Sequence, residues 1–172
     1  MIHNNTPVIL IIMGVSGSGK STIGKLLSDA LDIEFYDGDD FHPQENIDKM
    51  SAGHPLNDQD RAGWLEAIHD FGLQQLEENC SCVIACSALK QSYRDVLCKG
   101  MEKELKFIYL EGDYQTIQTR LSKRNSHFMP ATLLKSQFDT LEPPKNAITV
   151  DLKLNPQQII DKIIKALDNE IT

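Results

Sequence analysis

Apolar residues recur along this chain in two alternating rhythms. Residues 8–13, Val-Ile-Leu-Ile-Ile-Met, form an unbroken apolar run, the mark of a parallel strand buried on both faces. Directly after it, Ile23, Leu26, Leu27, Ala30 and Leu31 fall on one face of a helix. Residues 34–37 read as a short second strand. Asn57-Asp58 then caps a long helix carrying Trp64, Leu65, Ile68, Phe71 and Leu76. Residues 82–86, 105–110 and 147–150 read as the third, fourth and fifth strands. The last helix is the plainest: Asn155 caps it, Pro156 opens it where a missing N–H costs nothing, and Ile159, Ile160, Ile163, Ile164 and Leu167 line it. Strands alternating with helices predict an α/β fold, a parallel sheet of five strands covered on both faces by right-handed crossovers. Ligands in such folds bind at the carboxyl ends of the strands, so chemistry is expected just after each strand.

At 172 residues the chain fits a single domain, residues 1–172, with a core of its own. The longest apolar run is far too short to span a bilayer, and it lacks the charged leader and cleavage site of a secretion signal. No membrane association is expected, and a cytoplasmic location is. Cys80, Cys82, Cys86 and Cys98 have no His at ligand spacing, and the first three alternate along an apolar run. They are expected to be buried thiols in a reducing compartment rather than a zinc set or disulfides. A net charge of −8 argues against a nucleic-acid partner. It does not exclude an anionic ligand, because binding depends on local charge.

Chemistry appears first between the first strand and helix. Gly14-Val15-Ser16-Gly17-Ser18-Gly19-Lys20-Ser21 matches G-x-x-x-x-G-K-[ST] in full, with a strand before it and a helix after it. Glycines let backbone N–H groups curl around phosphate oxygens, and the helix N-terminus adds its positive end. In that arrangement Lys20 meets the β- and γ-phosphates of ATP and Ser21 ligates Mg²⁺. The loop residues from Gly14 through Thr22 are thus the candidate nucleotide site.

A GTPase would add D-x-x-G after a strand and N-K-x-D. Asp60-Arg61-Ala62-Gly63 matches the first string but opens a helix, and the second string does not occur. A small-molecule kinase instead needs carboxylates near a strand end and a basic lid. Asp37-Gly38-Asp39-Asp40 follows the second strand. Asp37, nearer the strand end, is assigned to the Mg²⁺ shell, and Asp39 to orienting or deprotonating an attacking hydroxyl. Arg120 and Arg124 stand one helical turn apart, with Lys123 between them and His127 just beyond. These cations are expected on a mobile lid, about residues 122–140, that closes over the transferred group and excludes water.

These residues, with Asp37-Gly38-Asp39, His42-Pro43, Asn46-Ile47, Lys49-Met50, Gly53-x-Pro55-Leu56-Asn57-Asp58-x-Asp60-Arg61, Trp64-Leu65, Cys86-Ser87-Ala88-Leu89-Lys90, Tyr93-Arg94, Phe107-Ile108-Tyr109-Leu110, His127-Phe128, Gln137 and Leu141-Glu142, give the chain its likeness to a known family. It resembles the gluconokinases of the shikimate-kinase-like, phosphate-loop group along nearly its whole length. The resemblance implies a three-layer α/β/α, nucleoside-monophosphate-kinase-like fold and transfer of the ATP γ-phosphoryl to the 6-hydroxyl of D-gluconate. It also implies a requirement for Mg²⁺ and a homodimer. Asp40 and Ser126 depart from the family pattern, adding a carboxylate and replacing a glycine. A polyol carboxylate needs cations for its charge and polar groups for its hydroxyls. Lys49, Arg61, Lys90 and Arg94 are the candidate cations; His42, Asn46, Tyr93 and His127 are the candidate hydroxyl partners. Trp64 and Leu65 are read as core. A kinase for another hydroxy acid such as shikimate, a kinase for a nucleotide, and a non-catalytic ATP sensor are the rival readings.

Overall fold

Every residue of β1 (Ile9–Met13) is buried in the computed structural model, which describes residues 6–123 and 131–170. β1 lies between β3 (Cys82–Ala85) and β4 (Leu105–Glu111), with β2 (Glu34–Asp37) and β5 (Ile148–Asp151) at the edges. The order is β2-β3-β1-β4-β5, and every pairing is parallel. β1 is thus central, and helices cover both of its faces, which is why its apolar run shows no alternation.

Successive side chains of β1 point to opposite layers. Leu10 and Ile12 pack with Ile23 and Leu27 of α1 (Lys20–Leu31) and Ile160 and Ile163 of α7 (Pro156–Glu170). Ile9, Ile11 and Met13 face the other layer. There they meet Trp64 and Ile68 of α3 (Asp58–Glu77), Leu97 of α4 (Gln91–Cys98), Ile117 of α5 (Tyr114–Ser122) and Leu134 of α6 (Ala131–Thr140). The expected three layers are present. Among the described residues no helix is long and apolar enough to cross a membrane.

Helix starts follow the predicted caps. Asn57 Oδ1 accepts from the Asp60 N–H at 2.8 Å while Asp60 Oδ2 accepts from the Asn57 N–H at 2.9 Å. This reciprocal capping box fixes the first turn of α3. Asn155 and Gln158 make the same exchange at the start of α7. Two features departed from the pattern. A short, polar helix α2 (Gln44–Ser51) follows a 3-10 turn at Gly38–Phe41. Its sequence, Gln-Glu-Asn-Ile-Asp-Lys-Met-Ser, has too few apolar residues to advertise a buried face. And whereas Cys82 and Cys86 are buried, with desolvation pushing each thiol up to about 12, Cys80 is exposed just ahead of β3. The alternation expected of three cysteines holds for two, because the strand starts after Cys80.

Candidate active site

The phosphate loop leaves β1 at Gly14 and enters α1 at Lys20. Gly17 and Gly19 take φ of 80° and 93°, a region that L side chains rarely adopt. A Cβ on Gly14 would lie 2.8 Å from Ser18 Oγ and 3.1 Å from the Leu110 carbonyl oxygen. The Gly14 N–H donates to the Ser87 carbonyl, tying the loop to the chain beyond β3. Lys20 Nζ donates to the Val15 carbonyl at 3.1 Å, and the Ser21 hydroxyl donates to Asp37 Oδ2 at 3.4 Å. The N-terminus of α1 and the end of β2 therefore share one site.

Asp37 is the last residue of β2 and the cap of the 3-10 turn, where its Oδ1 accepts from the Asp39 N–H at 3.0 Å. Asp39 stands one turn on, exposed at the cavity mouth. Partial desolvation by the cavity walls, and then the neighbouring Asp37 charge, raise its pKa above the usual carboxylate value, while Lys20 pulls it down. His42 lies deeper, its ring stacked on Trp64 at 4.1 Å between centroids. Burial, and then the charge of Arg61, lower its pKa to about 4. The imidazole is therefore neutral at pH 7.

A further part of the wall comes from the start of α3. Arg61 is buried, and its Nη1 donates to the Leu56 carbonyl at 2.6 Å and the Tyr93 hydroxyl at 3.2 Å. The Tyr93 hydroxyl donates in turn to Asp58, which also pairs with Lys90 at 2.9 Å. No carboxylate pairs directly with Arg61 among the described residues. Phosphate loop, acidic turn and Arg61 together border one cavity of about 470 Å³, the size of a small-molecule site.

The cavity sorts the predicted residues. Ser16, Gly17, Gly19, Lys20, Ser21, Thr22, Asp37, Asp39, His42 and Arg61 line it. Gly14, Val15 and Ser18 shape the loop from behind. Asn46, Lys49, Lys90, Tyr93 and Arg94 do not line it. Lys49 is committed to Asp60 at 2.6 Å, and Lys90 to Asp58. Arg94, expected on a solvated helix face, is instead buried, donating to the carbonyls of Ala88, Leu89 and Glu142. It fastens α4 to the segment beyond α6, beside the bond in which the Leu89 carbonyl accepts from the Glu142 N–H. Arg120 donates to the Leu152 carbonyl from the last turn of α5. Arg124 and His127 lie outside the described residues. The second half of the expected lid, residues 131–140, is α6 with Leu133 and Leu134 buried.

Two lining residues carry roles that patterning alone did not assign. Trp64 is core, as expected, but its Nε1–H also donates to the Gly38 carbonyl at 2.7 Å and its ring carries His42. Gln137, on α6, accepts the Ser16 N–H at 2.8 Å through its Oε1, joining that helix to the phosphate loop. A polar residue on an amphipathic helix gives no signal of such a contact. Only the family likeness singled it out.

Comparison with known proteins decides the family. Residues 16–168 match the family model described as shikimate kinase. The thermosensitive gluconokinase of Escherichia coli K12 is 51% identical over 135 residues, covering 78% of this chain and 72% of that protein. The chain belongs to the gluconokinase family. A probable gluconokinase of Rattus norvegicus is 44% identical, with 94% of this chain and 98% of that protein covered. The crystal structure of a gluconokinase from Sinorhizobium meliloti superposes with a TM-score of 0.86 at 39% identity, covering 96% of this chain and 94% of that one. Membership makes the chain an ATP-dependent kinase acting on a hydroxyl group, and the loop, the acidic turn and the cavity are the parts such a kinase needs.

Proposed function

We propose that this protein transfers the γ-phosphoryl group of ATP to the 6-hydroxyl of D-gluconate, giving 6-phosphogluconate and ADP. One observation carries the reading: Arg61, a buried cation with no carboxylate partner among the described residues, lines the same cavity as the phosphate loop and Asp39. An acceptor with a carboxylate at one end and a hydroxyl at the other suits that lining, its charge on the guanidinium and its hydroxyl at Asp39. The relatives named gluconokinase support the choice of sugar acid.

Phosphoryl transfer asks mainly for positioning and charge stabilisation. Lys20 and the loop N–H groups hold the phosphates, and Asp39 orients the acceptor hydroxyl and takes its proton. Ser21 Oγ and the Asp37 carboxylate, 3.4 Å apart, are hard oxygen donors that suit Mg²⁺ with water and phosphate oxygens in its remaining positions. When bound, that ion neutralises charge on the transferring group. In this reading residues of about 122–140 close as a lid, with Arg120 and Arg124 on the phosphates and His127 near the acceptor. Arg120 would leave the Leu152 carbonyl as it closes. The protein works as a single-domain kinase, as a homodimer and in the cytoplasm.

A coupled ADP-release assay over sugar acids, shikimate and nucleoside monophosphates tests this. Turnover with gluconate and Mg²⁺ is expected. Turnover with shikimate or a nucleotide alone overturns the acceptor, and slow hydrolysis unaffected by any acceptor overturns the kinase.

A further inference from the structure

The amide of Asn46 is buried and lies outside the cavity wall, yet it controls a group that is in it. Its Nδ2 sits 2.7 Å from the Asp60 carbonyl oxygen, which can only accept. That atom is therefore the amide nitrogen, and its other hydrogen points to His42 Nδ1 at 3.2 Å. Nδ1 thus accepts, and the one proton of the neutral ring sits on Nε2. Stacking on Trp64, with the ring planes 15° apart, holds the imidazole in place.

His42 Nε2 lies 3.9 Å from Asp39 Oδ1. This is too long for a hydrogen bond between them. It suits one oxygen placed between them: with legs of about 2.8 Å each, the angle at that oxygen is roughly 90°. Such an oxygen can donate its hydrogen to Asp39 and accept from Nε2–H, and a hydroxyl does both. Its second lone pair stays free for in-line attack.

We propose that Asn46 is a positioning residue that holds His42 as its Nε2–H tautomer, and that His42 then donates to the acceptor hydroxyl whose proton Asp39 receives. This inference rests on the kinase reading above. It adds that the hydroxyl is oriented from two sides, by one donor and one acceptor.

Two measurements test it on the full chain. Two-bond ¹H–¹⁵N correlation spectra of protein with ¹⁵N-labelled histidine should show one ring, assigned by its loss in His42→Gln, protonated at Nε2 and bare at Nδ1. Asn46→Asp, which offers Nδ1 only an acceptor, should move the proton to Nδ1 or charge the ring. In kinetics, His42→Phe keeps the stack and removes the donor. It should lower kcat/KM for the acceptor by roughly 5- to 10-fold, the size of one neutral hydrogen bond, with KM for ATP unchanged. His42→Gln, whose amide nitrogen mimics Nε2, should recover most of that loss. A wild-type ring protonated at Nδ1 overturns the tautomer, and a His42→Phe enzyme with normal acceptor kinetics overturns the contact. The kinetic arm uses whichever acceptor the wild type phosphorylates. Inactivity with gluconate alone therefore strikes the choice of substrate, while the spectra still decide the tautomer.

Discussion

Gly38→Ala should damage this enzyme far more than one methyl group suggests. A Cβ at Gly38 would stand 2.3 Å from the Ala85 carbonyl oxygen, 3.3 Å from its carbon and 3.4 Å from Cys86 Cα. All three are backbone atoms at the end of β3, so no side chain can rotate away. Relief requires the 3-10 turn to move by roughly 1 Å, and overpacking of this kind costs about 1–3 kcal/mol. The same movement carries Asp37 and Asp39 with it and strains the Trp64 bond to the Gly38 carbonyl. Misplacing a reacting group by that much costs on the order of 100-fold in rate. Gly63→Ala is the matched control, because nothing lies within 4 Å of its missing Cβ and it sits inside α3. It should stabilise the protein by about 0.5–1 kcal/mol through helix propensity. Urea unfolding and the coupled ADP assay read both variants. A Gly38→Ala protein with wild-type midpoint and turnover would refute the packing argument, and equal effects of the two substitutions would show that only backbone entropy matters.

Four further outcomes follow from the geometry. Lys20→Ala should leave folding intact but lower turnover by about 100-fold or more in the same assay, because a preorganised charge on the phosphates is lost. Asp39→Asn should cut acceptor phosphorylation by on the order of 100-fold while ATP affinity, read by calorimetry, barely changes. Tyr93→Phe removes the hydroxyl that accepts from Arg61 and donates to Asp58; KM for the acceptor should rise several-fold in steady-state assays, with kcat near wild type and stability lower by about 1 kcal/mol. His42 is held at about 4 when folded and returns to about 6.5 when unfolded, so protonation favours the unfolded chain. Its contribution is full above pH 6.5 and lost as pH falls towards 4, by about 3 kcal/mol in urea titrations, a slope that His42→Phe should remove.

The sheet was legible because a doubly covered strand must be apolar throughout, and residues 8–13 are. The loop was legible because phosphate binding demands glycine where the backbone takes positive φ. Arg61 and Arg94 show where legibility stops. Both are arginines near the start of a helix, and both are buried, yet one faces the cavity and the other secures carbonyls of Leu89 and Glu142. What separates them is the partner each finds across the fold, 32 positions away for Arg61 and 48 for Arg94, and no local pattern encodes that. Lys49 and Lys90 fail as free cations for the same reason, since Asp60 and Asp58 take them only once α3 is in place.

The first turn of α3 braces a whole side of the cavity. Asp60 caps the helix through Asn57, holds Lys49, and presents its carbonyl to Asn46. Asp58 anchors Tyr93 and Lys90, and Tyr93 steadies Arg61. Trp64, one turn on, carries His42 and grips the carbonyl of Gly38, next to Asp39. One helix start therefore braces a buried cation, Arg61, and the ring of His42, both of which line the cavity. These side chains are held by hydrogen bonds rather than by loop conformation, which keeps groups that meet a ligand in fixed positions. Elsewhere on the cavity, α6 meets the phosphate loop through the bond from the Ser16 N–H to Gln137. Weakening the α3 brace should therefore disturb the acceptor more than the nucleotide, as expected for Tyr93→Phe.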